Sequence, residues 1–371
     1  MKVLHINSYY SKSYFYKNLY DKQVQNGINI NVFVPVDYSF NCSSFDYGSY
    51  TQLSMNFSNL DRFFFFSKQM KIFKDMIKKH NIIDYDIIHA HSLFTNGYVA
   101  LKAKRSFNVP YIVAVRNTDL NLFFKIPFIK KLGLEILKEA NRVVFLSKPY
   151  QQKVIERLVP NCLRDEISNK SSVLPNGIEV FWLGNKGIPK TLIDRKKLKL
   201  IYAGVINKNK NIIATLRAIE ILSKKGYNIE FSAVGRVDDS NIFKELSKSS
   251  FFKFYSQKAK EELINIYRNN DIFIMPSRTE TFGLVYAEAL SQGLPIVYTR
   301  GQGFDGQFDD GVVGYSVNPD NYNEIADAIL RIADNYSELS KRAVDLSNRF
   351  EWSGIAKQYI QLYGEMKYEN R

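Results

Sequence analysis

Two glutamates in the stretch SRTETFGLVYAEALSQGLP (277–295) stand where they could hold a polyhydroxylated ligand. Glu280 and Glu288 are separated by seven residues, and an apparent helix start lies between them. Thr281 is predicted as the N-cap of this helix, and Gly293 suits the position just after its end. Carboxylates accept the hydrogen bonds that sugar hydroxyls donate. The spacing alone also fits an ordinary surface helix, on which Glu288 would be a solvated residue.

The backbone at this helix start is suited to phosphate. We expect the helix to begin near Phe282, so that the N–H groups of residues 282–285 have no acceptor inside the helix. These donors and the helix dipole favour an anion, and Gly283 leaves room for its close approach. Phosphates held between two acids predict a nucleotide-sugar site, with one acid on the transferred sugar and the other on the ribose.

A second loop, GVINKNKN (204–211), has a similar character. The strand before it ends at Gly204, and a helix is predicted to begin near Asn211. Lysine is a point-charge binder of phosphate. We predict that Lys210 contacts the phosphates, whereas Lys208 suits a phosphate contact or a solvated basic loop equally well.

The elements that must position these loops form two similar halves. Short apolar runs that end in polar residues alternate with helical segments in both halves, which is typical of buried parallel strands in a doubly wound α/β domain. The runs include VLHINS (3–8), DIIHAHS (86–92), YIVAVRN (111–117), LKLIYAGV (198–205) and DIFIMPS (271–277). A polar stretch at 182–199 is predicted to link the halves, and a terminal helix follows Trp352.

Length and composition fit a two-domain globular protein. The chain has 371 residues, of which 45% are hydrophobic and 24% charged. We see neither an apolar run of the roughly 20 residues that a membrane helix needs nor an export signal at the start. Cys42 and Cys162 lie far apart and form no CxxC motif, which favours reduced thiols and a cytoplasmic location.

The net charge of +14 is uneven along the chain. Residues 1–180 hold 24 Lys and Arg against 14 Asp and Glu, a balance of +10, and the remaining residues contribute +4. Such an excess predicts an anionic partner: substrate phosphates, anionic lipid headgroups or nucleic acid. No helix-turn-helix, zinc or RNP pattern is present, so a basic nucleic-acid-binding protein is the less favoured alternative and no nucleic-acid partner is predicted.

Two segments of the basic half mix phenylalanine with lysine. In DRFFFFSKQMKIFKDMIKKH (61–80), Met70, Phe73 and Ile77 recur at helical spacing, and FFKIPFIKKLG (123–133) repeats the composition. The first segment fits an amphipathic helix packed on the domain core, which we favour. It also fits a helix lying on an anionic membrane, and together the two segments make peripheral membrane contact a second hypothesis.

Several motifs together resemble family 4 retaining glycosyltransferases of the GT-B fold, over nearly the whole chain. SRTETFGLVYAEALSQGLPIV resembles the E-x7-E signature of that family, and VLPNGIEVFW (173–182) resembles its domain junction. DIIHAHS, GVINKNKN and FEWSGIAKQY (350–359) resemble its HxH strand, phosphate-lysine loop and terminal helix. The fold class implied is α/β, GT-B, with two Rossmann-like doubly wound domains facing a central cleft.

The domain boundaries that follow are 1–180 for an acceptor-binding domain and 181–350 for a nucleotide-sugar-binding domain. A helix at 351–371 would pack back toward the first domain. By the resemblance, Glu280 contacts the donor sugar and Glu288 contacts the ribose. The diphosphate is held by Lys210 and, with Thr281 beside them, by three backbone amides, those of Phe282, Gly283 and Leu284.

The resemblance also implies a reaction. The sugar would pass from a nucleotide sugar, with UDP the commonest carrier in the family, to a glycan or lipid-linked acceptor, without a metal or other cofactor. Retention of configuration is expected, with the leaving diphosphate helping to deprotonate the acceptor. Surface polysaccharide or glycoconjugate synthesis at the inner face of the membrane fits these features. A nucleotide-sugar epimerase of the same fold is the alternative.

Three departures from the family pattern concern the first half more than the second. Val205 replaces the usual arginine of the phosphate loop, and the loop SYYSKSYF (8–15) lacks the usual glycines. Arg116 replaces a histidine that reaches the reaction centre, and arginine stays charged and cannot act as a base. Arg116, with Asn117, would bind phosphate or an anionic acceptor, or else pair with Asp119 as local structure. Further acceptor-side candidates are Ser11, Lys12 and Ser13.

The two histidines of DIIHAHS share one face of a strand, because side chains alternate along it. His89 is expected to be buried structure, and His91, at the strand end, is the better candidate for the reaction centre. Asp84 and Asp86 precede the same strand and are expected to be solvated rather than to bind a metal, and no other convincing metal cluster is apparent in the sequence.

Overall fold

The computed structural model describes residues 1–11, 13–41 and 45–369, without the side chains at 62, 117, 121, 127 and 369. Lys12, Cys42 and the side chain of Asn117 therefore lie outside the described part of the chain. The chain divides into two compact units. The first comprises Met1–Leu146, Tyr150–Pro175 and the residues from Trp352 onward, and the second comprises Ser147–Pro149 and Asn176–Glu351.

The first unit is built on a seven-stranded parallel sheet with the order β3-β2-β1-β4-β5-β6-β7. The inner strands are short and almost wholly buried, as expected for a parallel sheet covered on both faces. Its strands are β1 Lys2–Ile6, β2 Asn29–Asp37, β3 Thr51–Phe57, β4 Ile87–Ala90, β5 Tyr111–Ala114, β6 Arg142–Phe145 and β7 Ser171–Val173.

Helices cover both faces of this sheet and create two separate apolar cores. One core includes side chains of α2, α3 and α5, and the other includes side chains of α1 and α15. The terminal helix α15 thus belongs to the core of the first unit. The helices are α1 Phe15–Gln25, α2 Phe65–Lys79, α3 Thr95–Phe107, α4 Asn117–Asn121, α5 Pro127–Glu139, α6 Lys148–Arg157, α7 Asn161–Asn169 and α15 Trp352–Glu369.

The second unit has a six-stranded parallel sheet with the order β10-β9-β8-β11-β12-β13. Its strands are β8 Lys197–Ala203, β9 Asn228–Gly235, β10 Phe252–Ser256, β11 Ile272–Ile274, β12 Ile296–Thr299 and β13 Gly314–Val317. Its helices are α8 Val180–Gly184, α9 Ile212–Lys224, α10 Ser240–Leu246, α11 Lys260–Arg268, α12 Leu284–Ser291, α13 Tyr322–Asp334 and α14 Tyr336–Leu346.

The stretch predicted as a polar linker is fastened to the second unit. Lys190 donates from Nζ to three backbone carbonyls at the end of α11, at 3.3 Å to Tyr267, 2.9 Å to Arg268 and 2.6 Å to Asn270. A cation at the carboxyl end of a helix satisfies carbonyls that lack intrahelical partners. Residues before β8 are therefore anchored rather than free.

Both sheets have a crossover point of the same kind. In the first unit the chain order reverses between β1 and β4, and in the second it reverses between β8 and β11. In doubly wound sheets, ligands bind outside the carboxyl ends of the strands at such points. Two Rossmann-like domains are thus confirmed. None of the helices in the described residues is long and apolar enough to cross a membrane.

Candidate active site

At the crossover point of the second unit, one asparagine ties two loops together. Asn209, in the loop after β8, accepts the N–H of Thr279 through Oδ1 at 3.1 Å and donates from Nδ2 to the Thr279 carbonyl at 2.8 Å. Its own carbonyl accepts the N–H of Arg278 at 2.8 Å. These three bonds join the loops that follow β8 and β11 like a short piece of sheet.

The joined loops bring together two predicted site residues that are 70 positions apart. Lys210 donates from Nζ to Oε2 of Glu280 at 2.6 Å. The two side chains are 22% and 14% exposed, so the pair is partly shielded but still reaches solvent. A cation and a carboxylate in contact at this edge provide a phosphate-binding group and a hydroxyl-binding group side by side.

The loop that carries Lys210 is held in one conformation by its asparagines. The N–H of Lys210 bonds to Oδ1 of Asn207. Asn211 adopts a left-handed conformation with φ of 54° and donates to the carbonyls of Pro276 at 3.1 Å and Pro319 at 2.7 Å. Lys208 lies in the same short 3-10 turn and is exposed.

Gly204, at the start of this loop, has a left-handed φ of 147°. Its carbonyl oxygen lies so close to Gly235 that a Cβ on Gly235 would stand 1.9 Å from it. The ends of β8 and β9 therefore require glycine at both positions. The structure does not test whether Gly204 also contacts a ligand, and that role stays a prediction.

The loop that carries Glu280 rests on a glycine-rich turn after β12. The N–H of Gly303 donates to the Glu280 carbonyl at 2.8 Å, and the N–H of Glu280 donates to Oε1 of Gln302 at 3.1 Å. A Cβ on Gly303 would stand only 2.0 Å from the carbonyl oxygen of Thr281. The backbone approaches so closely that only glycine fits.

The helix between the two glutamates begins later than the sequence suggests. Helix α12 starts at Leu284, and its N-cap is Gly283 with φ of 78°, so the prediction of Thr281 as N-cap is wrong. Thr281 instead donates its N–H to Oε1 of Glu280 at 3.1 Å. The physical reason is the glycine, because the left-handed turn at this point delays the helix and folds Glu280 back beside it.

The late start moves the unpaired donors along the chain. The N–H groups of Leu284 and Val285 are in the first turn and have no acceptor inside the helix. The N–H of Tyr286 bonds to the Gly283 carbonyl at 3.0 Å. Phe282 is 2% exposed, and its ring packs on Phe304 and Phe350, which fixes the backbone just before the helix.

Glu288 lies in the interior of α12, and its carboxyl group is strongly perturbed. Burial raises its pKa to about 8, and the negative charge of Glu179 adds to the shift. The raised pKa favours the protonated form of this carboxyl group. A ligand that offers hydroxyl donors would shift it toward the carboxylate, because hydrogen bonds to the charged form lower the pKa.

In the first unit, the predicted reaction-centre histidine is buried. His91 and His89 both have 0% exposure, and His5 from β1 joins them. His5 Nδ1 lies 3.0 Å from His91 Nε2, and His89 Nδ1 lies 2.7 Å from the hydroxyl of Tyr363. A side chain without exposed surface does not contact a substrate in this conformation, so His91 is a core residue here, as His89 is.

These three histidines also form a cluster of possible metal ligands, which the sequence analysis did not suggest. Their nearest ring nitrogens lie within 4.8 Å of one another. The rings of His89 and His91 stack at 4.0 Å with 18° between their planes. Because lone pairs lie in the ring plane, stacked rings direct them side by side rather than at one ion, and the arrangement fits a hydrogen-bonded core better than a metal site.

Arg116 is also held by local structure. Its side chain is largely buried and donates from Nε to the His91 carbonyl at 3.2 Å. The carboxylate of Asp119 accepts the N–H groups of Arg116 at 2.8 Å, Leu93 at 3.0 Å and Phe94 at 3.2 Å. Burial raises the pKa of Asp119 to about 6 despite these bonds. Of the two interpretations of Arg116, these contacts favour local structure.

The remaining acceptor-side candidates lie in the turn after β1. Ser11 donates from Oγ to the Ser8 carbonyl at 3.2 Å, and the N–H of Ser13 bonds to the Tyr9 carbonyl at 3.1 Å. Neither contact involves a ligand. Lys12 and the side chain of Asn117 lie outside the part of the chain that the structure describes. Roles for these four residues in binding an acceptor stay predictions.

The sequence did not identify the residues that support the site. Gln302 and Gly303 belong to none of the motifs quoted above, and Asn209 lies within GVINKNKN without being singled out there, yet all three position Lys210 or Glu280. The run RGQGFDG (300–306) after a buried strand was a usable signal, because repeated glycines mark close approach of the backbone. Nothing in the sequence marked Asn209 among its neighbouring asparagines.

Comparison with known proteins identifies both halves. Residues 185–349 match the model for "Glycosyl transferases group 1", and residues 14–180 match the model for "Glycosyltransferase Family 4". The chain is a family 4-type glycosyltransferase. The order of strands and the position of the site at the crossover point of the second unit agree with this assignment, and the predicted enzyme class is confirmed.

The relatives support the same fold over most of the glycosyltransferase. An uncharacterized glycosyltransferase of Methanocaldococcus jannaschii is 22% identical over 79% of each chain. Sucrose-phosphate synthase from Thermosynechococcus elongatus has a TM-score of 0.76 with 17% identity and 99% coverage of both chains. HepE from Anabaena, solved with UDP and glucose, has a TM-score of 0.67 with 16% identity, covering 98% of this chain and all of that one. The predicted GT-B fold is thereby confirmed.

Proposed function

We propose that this glycosyltransferase moves a sugar from a UDP-sugar to a glycan or lipid-linked acceptor, with retention of configuration and without a metal. The observation that carries the proposal is the Lys210–Glu280 pair beside the start of α12. A diphosphate needs cations and N–H donors, and a sugar needs hydrogen-bond acceptors, and both sets are adjacent here.

The two members of this ion pair would each bind a different part of the donor. When the diphosphate binds, the ammonium of Lys210 turns from Glu280 to the phosphate oxygens. The freed carboxylate then accepts hydroxyls of the transferred sugar. Lys210 and the N–H groups of Leu284 and Val285 stabilise the negative charge that develops on the leaving diphosphate. In metal-dependent enzymes a bound metal ion stabilises such charge.

Glu288 would hold the other end of the donor. A carboxyl with a raised pKa is sensitive to its partners, and two ribose hydroxyls would supply hydrogen-bond donors that favour its carboxylate form. UDP is proposed as the carrier from the family resemblance and from HepE, which was solved with UDP and glucose.

The uneven charge of the chain bears on the acceptor. The first half carries the basic excess, which suits an anionic or membrane-bound acceptor better than a neutral one. Synthesis of surface polysaccharide or glycoconjugate in the cytoplasm, at the inner face of the membrane, accommodates this charge.

The proposal is tested by thermal unfolding with UDP-glucose, UDP-galactose, UDP-N-acetylglucosamine, GDP-mannose and ADP-glucose, each with excess chelator. A ligand at about 100 times its Kd stabilises the folded protein by about 2.7 kcal/mol. We expect at least one UDP-sugar to raise the Tm with chelator present. Proton NMR of the sugar released by slow hydrolysis, recorded at early times before mutarotation equilibrates the anomers, then reports the anomeric configuration. An inverted product, an epimerised donor or no response to any UDP-sugar would contradict the proposal.

A further inference from the structure

Two short turns in the first unit expose large apolar side chains to water. The first is the 3-10 turn Leu60–Phe63 with the start of α2, where Phe63 is 82% exposed and Phe64 67%. The second is the 3-10 turn Phe123–Lys125 with the start of α5, where Phe128 is 83% exposed. Folded domains rarely leave several phenylalanines open to solvent unless the surface binds something.

The two turns lie side by side. The rings of Phe65 and Phe123 are 5.9 Å apart, and both pack partly against the core of the unit. Their neighbours point to solvent and form what we call the phenylalanine face. It consists of seven exposed residues: Leu60, Phe63, Phe64, Phe66, Leu122, Ile126 and Phe128.

The amphipathic stripe of α2 does not belong to this face. Ile72, Phe73 and Met76 are buried in the core of the first unit, with Met70 and Ile77 packed partly against it. The favoured interpretation of this helix as core packing therefore agrees with the structure. The phenylalanine face is formed by the turns that precede α2 and α5, a different surface from the one the helical spacing suggested.

The two segments that carry the phenylalanine face are rich in lysine. Residues 60–80 and 122–131 contain nine Lys and Arg against two Asp. Both aspartates are already paired, Asp61 with Lys71 at 2.7 Å and Asp75 with Lys79 at 3.1 Å. Lys74, Lys125 and Lys131 are exposed. The two segments therefore combine exposed apolar side chains with a strong excess of positive charge.

We propose that the phenylalanine face seats the enzyme on an anionic phospholipid bilayer. Aromatic side chains enter the boundary between headgroups and acyl chains, and lysines contact the phosphates, which is the combination that stable peripheral binding needs. A protein partner fits less well, because lysine is depleted in protein–protein interfaces. The inference rests on the proposed function only in that a lipid-linked acceptor would be met at such a surface.

The test is co-sedimentation of the full chain with two kinds of vesicle, phosphatidylcholine alone and equal parts of phosphatidylcholine and phosphatidylglycerol. We expect binding to the anionic vesicles to be at least about tenfold tighter and to weaken with salt. The triple variant Phe63→Ser, Phe64→Ser, Phe128→Ser should bind them about tenfold or more weakly, since three phenylalanines no longer leave water. The matched control, Ile188→Ser with Ile193→Ser, removes exposed apolar residues of the second unit and should bind as wild type does.

A charge series completes the test. Lys125→Glu with Lys131→Glu should weaken binding to anionic vesicles about tenfold or more, because each lysine near such a surface contributes about 1 kcal/mol, roughly fivefold. Lys224→Glu with Lys225→Glu, the same charge change on exposed residues of the second unit, should have a smaller effect.

Three results would overturn the proposal. The first is that the wild-type protein stays in solution with anionic vesicles at low salt. The second is that the triple phenylalanine variant binds these vesicles as wild type does. The third is that the wild type is a dimer in solution and the triple variant is a monomer. The last would assign the face to a second copy of the chain. The UDP-sugar Tm shift, measured on the same proteins, confirms that the variants fold. It also separates a failure of membrane binding from a failure of the proposed function.

Discussion

The corner between β1 and β4 in the first unit and the corner between β8 and β11 in the second occupy the same place in two sheets with the same strand order. In the first, strand residues His5, His89 and neighbouring His91 fill the corner as buried side chains. In the second, the loops after β8 and β11 carry Lys210 and Glu280, which are partly exposed. The comparison shows that the strand order creates a possible ligand site at each corner. Whether a ligand can reach that site depends on the side chains that lie there.

The two corners also use different ways of fixing their residues. The histidines are held by burial and stacking within the core. Lys210 and Glu280 lie on loops that the Asn209 side chain joins through the backbone of Thr279, and the loop of Glu280 also rests against Gly303. The second arrangement fixes the side chains without removing them from water, which is what a ligand-binding pair needs.

The largest effect is expected when the cation of the second corner, Lys210, is removed. Lys210→Ala should lower kcat/KM about 10²–10³-fold, because it removes a group that stabilises the leaving diphosphate. Lys208→Ala changes an exposed lysine in the same turn and should lower kcat/KM less than about tenfold. Steady-state kinetics with the best donor measure both. Equal effects from the two variants would mean that the ion pair does not mark the site.

The second way is to displace the loop without touching a ligand group. Gly303→Ala places a Cβ against the Thr281 carbonyl, so we expect unfolding free energy to fall by about 3 kcal/mol and donor binding to weaken. Gly354→Ala, in α15 with no atom near its Cβ position, should leave both unchanged or improve stability slightly. Urea unfolding would contradict the account if both variants behaved alike.

The pH dependence of stability sharpens the comparison from the first corner. Burial lowers the pKa of His5 to about 3 and holds those of His89 and His91 well below 6.5. The unfolded chain then binds more protons, and stability is lost as pH falls below about 6.5. Between pH 6.5 and 4, wild type should lose about 2 kcal/mol more than His5→Phe in urea unfolding. Asp119 titrates in both proteins and cancels in the difference; parallel losses would contradict the assignment.

Glu288 gives the opposite pH dependence in the second unit. Its folded pKa of about 8 lies above the unfolded value of 4.5, so the folded state retains a proton that the unfolded state releases. Stability is lost as pH rises from about 4.5 to 8. Glu288→Gln should therefore gain about 1–2 kcal/mol relative to wild type between pH 5 and 8. A stability difference that does not change with pH would contradict the raised pKa.

The sequence predicted the repeating parallel strands well, because inner strands of a covered sheet are continuous apolar runs that end in polar residues. It placed Lys210 and Glu280 in the correct loops, since strand ends are visible in the sequence. The predicted start of α12 was wrong because Gly283 adopts a left-handed φ, and Phe282 before it packs on Phe304 and Phe350, contacts that the fold alone creates. His91 was misplaced for a similar reason, because His5 and Tyr20 contact its ring from elements that only the fold brings together.

The most direct test of the central claim is calorimetric titration of UDP into wild type, Lys210→Ala, Glu288→Ala and Arg116→Lys. If the donor site is built from the loops after β8 and β11 and from α12, Kd should rise about tenfold or more in the first two variants, since each loses a charged hydrogen-bonding group. Arg116→Lys, at the filled corner, should bind UDP as wild type does. UDP binding that survives in Lys210→Ala and Glu288→Ala but is lost in Arg116→Lys would contradict the account.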